Sequence, residues 1–459
     1  MVSELGEAID TYHSLLSDEV ASQSQGQLTQ QLHRRGLFFG ERPLCTVLRP
    51  RFLTVRQYQL LQGAIREVMP AFARAHQAAL ADPTLRLQFR LADWEEELLQ
   101  VEPHFNASSP TARMDTFYSD EAHAGEGRSG LNFAEYNAET PAAVAYNDAL
   151  SEVFLALPVM GAFQRRYEVR PLPGQQHVLH ALLDSYQQWG GRQRPRIAIL
   201  DWREVPTYSE FMLFQEYFLS QGYDCVIADP RQLEYRDGQL LVDGITPLHL
   251  IYKRVLLSEL VTREGLNNPV IRAVREGAVC MVNPFRCKLL HKKASFAVLS
   301  DERNAALFSP AERGAIERYI PWTRNVEERR TFINDQRIDL LPYLSSHKDD
   351  FVLKPNDEYG GAGIVLGWET EQSRWDEALL EALHEAYIVQ QRVAIPREAY
   401  PSLVEGNLQI YDRLMDTNPY IWYGEYASGC LTRLSSAVLL NVTAGGGSAV
   451  PTFVIEKRS

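Results

Sequence analysis

Apolar positions recur along this chain with two periods, and the period changes from stretch to stretch. Residues 1–50 read as polar helix, with the Gln-rich run 23–31 exposed. Over 54–80, Tyr58, Leu61, Ile65, Met69, Phe72 and Leu80 fall at helical spacing and predict an amphipathic helix. At 112–118 polar and apolar residues alternate as in a half-buried strand, and 131–137 follows as a second strand. The Gly-, Asp- and Glu-rich stretch 119–129 between them reads as a loop, and a helix is expected from Glu139-Thr140-Pro141 to about Leu157.

From Arg196 the style changes. Short unbroken apolar runs at 197–200, 225–228 and 248–252 enclose a helical pattern at 209–221, with Phe211, Phe214, Tyr217 and Phe218 on its buried side. Strand–helix–strand order implies a parallel α/β layer with ligands at the strand C-terminal ends. Asp201, Asp229, Lys253 and Arg254 lie at such ends, where ordinary loop charge is the alternative reading. A strand at 282 then runs through a proline turn into a helix carrying Lys288, His291, Lys292 and Lys293. These lysines read either as a solvated face or as the source of one ammonium aimed at a phosphate, and His291 reads as a surface histidine. Apolar runs at 351–353 and 364–366 predict a hairpin whose tip holds Gly360, Gly361 and Gly363, with Lys354 at the end of its first strand. A helix at 375–386, a strand at 387–393 containing Gln390 and Gln391, and strands at 407–415, 420–427 and 431–434 follow. The apolar run 437–440 and a glycine-rich loop at 441–447 come near the end.

Composition narrows the class. With 459 residues the chain exceeds one compact core, so several lobes are expected. No run approaches a membrane span, and the first residues lack a signal-peptide pattern. A formal charge of −13 argues against a nucleic-acid partner held by bulk charge. Five cysteines without a close pair read as reduced thiols, so a cytoplasmic location is expected.

Two constellations carry chemistry. Alternate strand residues share a face. If the strands at 112–118 and 131–137 pair, Asp115, Glu135 and Asn137 converge into a hard-oxygen set suited to Mg²⁺ and phosphate. Arg113 lies beside them as a phosphate clamp. The same residues can also be only the polar face of an antiparallel pair. The hairpin offers a second constellation: its glycines let backbone N–H groups approach phosphate, and Lys354 adds charge. No Gly-Lys-Ser/Thr follows, so it is not a Walker A loop, and an ordinary hairpin with a solvated lysine is the alternative. The strand before Val393 could bond an adenine edge.

In this order the pieces resemble the circularly permuted ATP-grasp ligases, most closely the synthetase domain of glutathionylspermidine synthetases. Arg113-Met114-Asp115 followed by Glu135-Tyr136-Asn137-Ala138-Glu139-Thr140-Pro141 is similar to that family's Arg-x-Asp and Glu-Tyr-Asn-Ala-Asp-x-Pro pair. Leu290-His291-Lys292-Lys293-Ala294 resembles its Asn-Lys-Ala helix start, and Lys354-Pro355 with the following glycines resembles its Lys-Pro strand and loop. Gly424, Gly429, Arg433, Asn441 and Pro451 resemble its last strands. The resemblance implies an α/β multi-lobe fold, a circularly permuted ATP-grasp with a Rossmann-like parallel layer before the nucleotide-binding lobe. The expected division is a helical region at 1–100, metal-binding strands at 101–194, the parallel layer at 195–285, the nucleotide lobe at 286–396 and closing strands at 397–459. It implies an ATP- and Mg²⁺-dependent ligase joining a small carboxylate to an amine through an acyl phosphate, with binding or phosphorylation of a small acid without ligation, or a non-catalytic nucleotide-binding partner, as the alternatives. Asp115, Glu135 and Asn137 would hold magnesium; Lys293 (or Lys292) and Lys354 would bind ATP. Gly360, Gly361 and Gly363 would close over it, and Gln390 or Gln391 would meet adenine. Arg113 and Arg433 would act on the transferring group. The acid and the amine are left open, since the glycine loop Asn-Asp-Glu-Tyr-Gly-Gly-Ala-Gly is more acidic and glycine-rich than that family's.

Overall fold

The structure, a computed structural model, describes residues 3–119, 130–358, 360–436 and 447–458. Residues 120–129 of the expected loop, Tyr359, and residues 437–446 of the expected apolar run and glycine loop lie outside the described residues.

The helix Val55–Ala81 starts on a capping box, in which Thr54 and Gln57 satisfy each other's backbone N–H groups. It buries Leu61, Ile65, Val68, Met69 and Phe72. Phe72 lies 5.0 Å from the ring of Tyr136 and 5.4 Å from that of Phe296. This packing covers one face of the antiparallel strands Thr111–Tyr118 and Leu131–Asn137, taking Met114, Phe133 and Tyr136 inward. Alternation then turns Arg113 and Asp115 to the opposite face, and Glu135 and Asn137 with them, because the register shift at Ala134 lets both Phe133 and Tyr136 face inward. The Gln-rich run near the N-terminus is part of the helix Asp18–Arg34, which buries Ala21, Ser24, Leu28 and Leu32. The run is thus the outer side of an amphipathic helix, its glutamines exposed or half-buried while Ser24 and Leu28 turn inward.

The strand Thr111–Tyr118 lies between Leu131–Asn137 and Asn418–Trp422 in a nine-stranded sheet. Tyr426–Ser435 pairs with both Asn418–Trp422 and Ser448–Lys457. Ser448–Lys457 in turn lies antiparallel to Tyr167–Pro171 and parallel to Arg51–Thr54, so strands from both ends of the chain share one sheet. The expected helix after Glu139 begins at Val144 instead. Glu139 is drawn into a buried ionic cluster, which keeps 139–143 irregular.

The parallel layer is present: Cys280–Val282, Leu250–Lys253, Ile197–Leu200 and Cys225–Ala228 lie side by side in that order, all parallel. A second four-stranded sheet, fully antiparallel, orders Thr323–Asn325, Tyr387–Gln391, Phe351–Pro355 and Val365–Leu366. Phe351, Leu353 and Val389 pack there against Trp375 and Leu379 of the helix Gln372–His384. All five cysteines are buried and none is in a disulfide. Among the described residues no helix is long and apolar enough to cross a membrane.

Candidate active site

The two strands bearing the acid–acid–amide trio pair as the alternation requires. Arg113 lies opposite Asn137 and Asp115 opposite Glu135, with a bulge immediately beyond. Asp115 Oδ1 accepts from Arg113 Nε and from Asn137 Nδ2, both at 2.9 Å, and Oδ2 accepts from Arg433 Nη2 at 2.6 Å. Burial works against ionisation of Asp115, but the two guanidinium groups outweigh it and hold the carboxyl at about 2. Arg433 is fixed from its other side by Asp416, which accepts from its backbone N–H at 2.9 Å and its Nε at 2.7 Å. Nothing in the sequence marked Asp416: it lies in a short turn, and its role depends on a strand pairing far along the chain.

The lysines reach this place from the second sheet. Asn356, just past Lys354-Pro355, accepts at its side-chain oxygen from Ala294 N–H at 2.8 Å and at its backbone oxygen from Lys293 N–H at 3.0 Å. The strand thereby caps the lysine helix from outside, and the expected single helix breaks into Cys287–His291 and Ala294–Ser300. Lys293 Nζ pairs with Glu135 Oε1 at 3.1 Å and donates to the Glu358 carbonyl at 2.6 Å, lying behind Glu135. Burial raises the Glu135 pKa, yet Lys293 foremost, with Lys354, brings it below the usual value. Lys354 Nζ donates to the Ala134 carbonyl at 3.2 Å and to Gln390 Oε1 at 2.7 Å.

The three lysines are not a solvated face. Lys288 and Lys292 are buried against Glu95, Glu139 and Asp357, and the ion pairs of Lys292 are with Glu95 and Asp357. His291 is buried too, not on the surface; burial first, then Lys288, takes its pKa down to about 4, so it is a neutral imidazole beside the cavity. Gln390 is held at both ends of its amide, since Nε2 donates to Thr323 Oγ1 at 3.1 Å while Oε1 accepts from Lys354. Its strand, Tyr387–Gln391, is interior and paired on both sides, while Arg392 and Val393 of the expected strand lie beyond it. Gln391, Arg392 and Val393 are the parts of this segment lining the cavity besides Gln390.

One cavity of about 640 Å³ joins these groups. Arg113, Asp115, Glu135, Asn137, Lys354 and Arg433 line it, with Gly360 and Gly361 opposite. Gly363 is not in its wall; at φ 69° it packs where an added Cβ would come within 2.6 Å of Pro355 Cγ. At this end Arg113, Arg433, Lys293 and Lys354 outnumber Asp115, Glu135 and Asp416, which suits an anionic ligand.

Whether a metal fits can be judged from the donors. Two ionised carboxylates and an amide face one another across the strand pair. Among the described residues no three His, Cys, Asp or Glu side chains assemble a metal cage. That fits Mg²⁺, which takes one or two carboxylates and completes its shell with water and substrate phosphates. The donors lining the cavity meet that demand.

Comparison with known proteins agrees. A family profile described as circularly permuted ATP-grasp type 2 matches residues 126–435. An uncharacterised protein of Mycobacterium tuberculosis (strain ATCC 25618 / H37Rv) is 24% identical over 303 residues, covering 62% of this chain and 50% of that protein. The chain thus spans about half the length of the first curated relatives it matches. An uncharacterised protein of Mycobacterium leprae (strain TN) is 21% identical over 432 residues, 89% of this chain and 72% of its own. Among solved structures, the apo form of a glutathione synthetase-like effector from Globodera pallida aligns with a TM-score of 0.59 at 10% identity, covering 96% of this chain and 99% of that one, a likeness of fold. The profile begins upstream of Glu135 and runs through both lysines to Arg433, so the chain belongs to the circularly permuted ATP-grasp type 2 family.

Proposed function

We propose that the protein is an ATP- and Mg²⁺-dependent carboxylate–amine ligase. A substrate carboxylate takes the terminal phosphoryl group of ATP, and an amine then displaces phosphate from the acyl phosphate to form an amide. The observation that carries this reading is the meeting of Asp115, Glu135 and Asn137 with Lys354, far apart in the chain, at one cavity, with Lys293 paired to Glu135.

Phosphoryl transfer asks a protein for position and charge neutralisation more than for acid–base work. Asp115, Glu135 and Asn137 would hold magnesium, which when bound neutralises phosphate oxygens. Lys354 would bind phosphate directly, while Lys293 would orient Glu135 and reach phosphate when that carboxylate turns to the metal. Arg113 and Arg433, already fixed by Asp115 and Asp416, would face the transferring group. Gly360 and Gly361 would cover the triphosphate and keep water from the acyl phosphate. Gln391, whose neighbour Gln390 is committed to Lys354, would be the side chain nearest the base.

Phosphate release from ATP, screened against paired acids and amines, tests this. Release should need both partners, and a heavy-oxygen label in the acid should appear in phosphate. Label transfer without amide would favour phosphorylation alone. Asp115→Asn and Glu135→Gln should each cut turnover by roughly 100-fold or more with circular dichroism unchanged. Near-normal rates in both would remove the proposed magnesium site.

A further inference from the structure

The two carboxylates of the trio are engaged by the chain's own cations. Asp115 accepts from Arg113 and Asn137 on Oδ1 and from Arg433 on Oδ2, using three of the about four lone-pair directions of a carboxylate. Glu135 Oε1 is paired with Lys293 at 3.1 Å. Asp115 can take a metal only by giving up a guanidinium, and with Arg113, Arg433, Lys293 and Lys354 close by, a lone dication is repelled. The side chains of Arg433 and Asp115 are only 20% and 14% exposed, so separating them without a substitute partner is costly.

Of the two guanidinium groups, Arg433 is the one placed to change partners. Its backbone is fixed in the strand Tyr426–Ser435, opposite Ala449. Asp416, which is buried, donates its backbone N–H to the Arg433 carbonyl at 3.2 Å and accepts Arg433 N–H and Nε on its side chain. Thr417 donates its N–H to the Thr116 carbonyl at 2.9 Å, which ties this turn to the strand of Asp115. Arg433 Nη2 lies 2.6 Å from Oδ2 of Asp115 and 2.6 Å from Oδ2 of Asp416. On leaving Asp115 it keeps a counter-charge. Arg113 would not, since its remaining contact among the described residues is with the Ala142 carbonyl at 3.2 Å.

We propose that Arg433 and Asp416 form an exchange latch that couples metal to nucleotide. Asp416 keeps hold of Arg433 while the guanidinium passes from Asp115 to a phosphate oxygen, and Asp115 is released to the metal as the phosphate arrives. Asp416 is then a positioning residue that acts through Arg433. Calling the arriving anion a nucleotide phosphate rests on the ligase reading. Each ligand removes what keeps the other out, which is positive coupling between them.

The test uses the intact protein, with Mn²⁺ as the metal and a non-hydrolysable ATP analogue as the anion. Electron paramagnetic resonance counts unbound Mn²⁺, and calorimetry reads the analogue at saturating Mn²⁺. Arg433→Gln should bind Mn²⁺ alone about tenfold more tightly than the wild type, and the Mn²⁺–analogue complex about tenfold more weakly. Lys354→Gln removes the same charge but no hydrogen bond to the trio, since Lys354 donates to the Ala134 carbonyl and Gln390, and should change binding of Mn²⁺ alone far less. Asp416→Asn keeps an acceptor for Arg433 N–H and leaves Asp115 as the carboxylate on Arg433. It should weaken the complex by about tenfold without tightening Mn²⁺ alone; a merely structural Asp416 would move the thermal midpoint and neither affinity. If Arg433→Gln does not fold, Arg433→Gln with Asp416→Asn removes the buried pair together and carries the same two readings. Both affinities moving the same way, no gain for Mn²⁺ alone, or equal gains in Arg433→Gln and Lys354→Gln would overturn the latch and leave the nucleotide site standing. A wild type that binds no Mn²⁺–analogue complex would remove the nucleotide reading and the latch with it.

Discussion

Lys354 holds an ammonium where the surroundings disfavour one. Burial, with Lys293 adding, brings its pKa down to about 8 against the pull of Glu135. In the free protein the charge is present below that pH and lost above it. Phosphate favours the charged form, so nucleotide affinity should fall as pH rises through about 8 and binding should take up a proton there. Lys354→Arg stays charged and should flatten the profile. Calorimetry of Mg-ATP in buffers of different ionisation enthalpy reads both effects. An affinity that does not change across this range in the wild type would show that Lys354 does not meet the phosphates. At this scale much of the site was legible. Asp115, Glu135 and Asn137 stood out because period-two alternation fixes which side chains share a face. The partners of Gln390, Lys354 and Thr323, were not legible, because they lie on neighbouring strands that its own segment does not reveal.

Among the elements, the glycine hairpin was legible and the lysine helix was not. Two apolar runs around a glycine cluster specify a hairpin locally, and Val352 pairs with Leu366 as that demands. The burial of Lys288 and Lys292 depends instead on Glu95, Glu139 and Asp357, and that of Lys293 on Glu135, all distant in sequence, so local pattern suggests a wet face where the structure has a buried network. The hairpin yields its own prediction. Gly363 has a left-handed φ of 69°, and a Cβ there would also lie 3.1 Å from Tyr387 Oη. A left-handed backbone costs a non-glycine residue about 1–2 kcal/mol. Gly363→Ala should therefore displace the turn carrying Gly360 and Gly361 and weaken Mg-ATP binding by roughly 5- to 30-fold. Gly26→Ala, with nothing within 4 Å of its Cβ, is the neutral control. Equal affinities in the two variants would mean that the turn does not touch the nucleotide.

For the molecule as a whole, Glu139 is the joint between layers. It is wholly enclosed, accepting from Lys253 Nζ at 3.1 Å, Lys288 Nζ at 2.9 Å and Leu257 N–H at 2.6 Å. Lys253 ends a strand of the parallel sheet, and Lys288 continues the bridge to Asp357 beside the lysine strand. Burial opposes its charge, but Lys253 and Lys288 take its pKa well below the usual value. Its contribution is therefore present above the ordinary carboxyl pKa and lost as acid takes pH down through the folded value. Glu139→Gln should lower the urea midpoint, with a loss of about 3–5 kcal/mol, and should blunt the acid sensitivity of the wild type. An unchanged midpoint would show that the layers are held together without it.

The placement of Ser448–Lys457 beside Arg51–Thr54 bears on how the protein is made. During synthesis the earlier strand leaves the ribosome about four hundred residues before its neighbour exists. Through that interval it presents an unpaired strand edge, with Phe52 and Leu53 beside it, that its native neighbour cannot cover, a condition that favours wrong partners. Cells producing this protein therefore have reason to shelter the nascent chain, and a pause or premature stop late in translation should yield aggregate and not a smaller folded product.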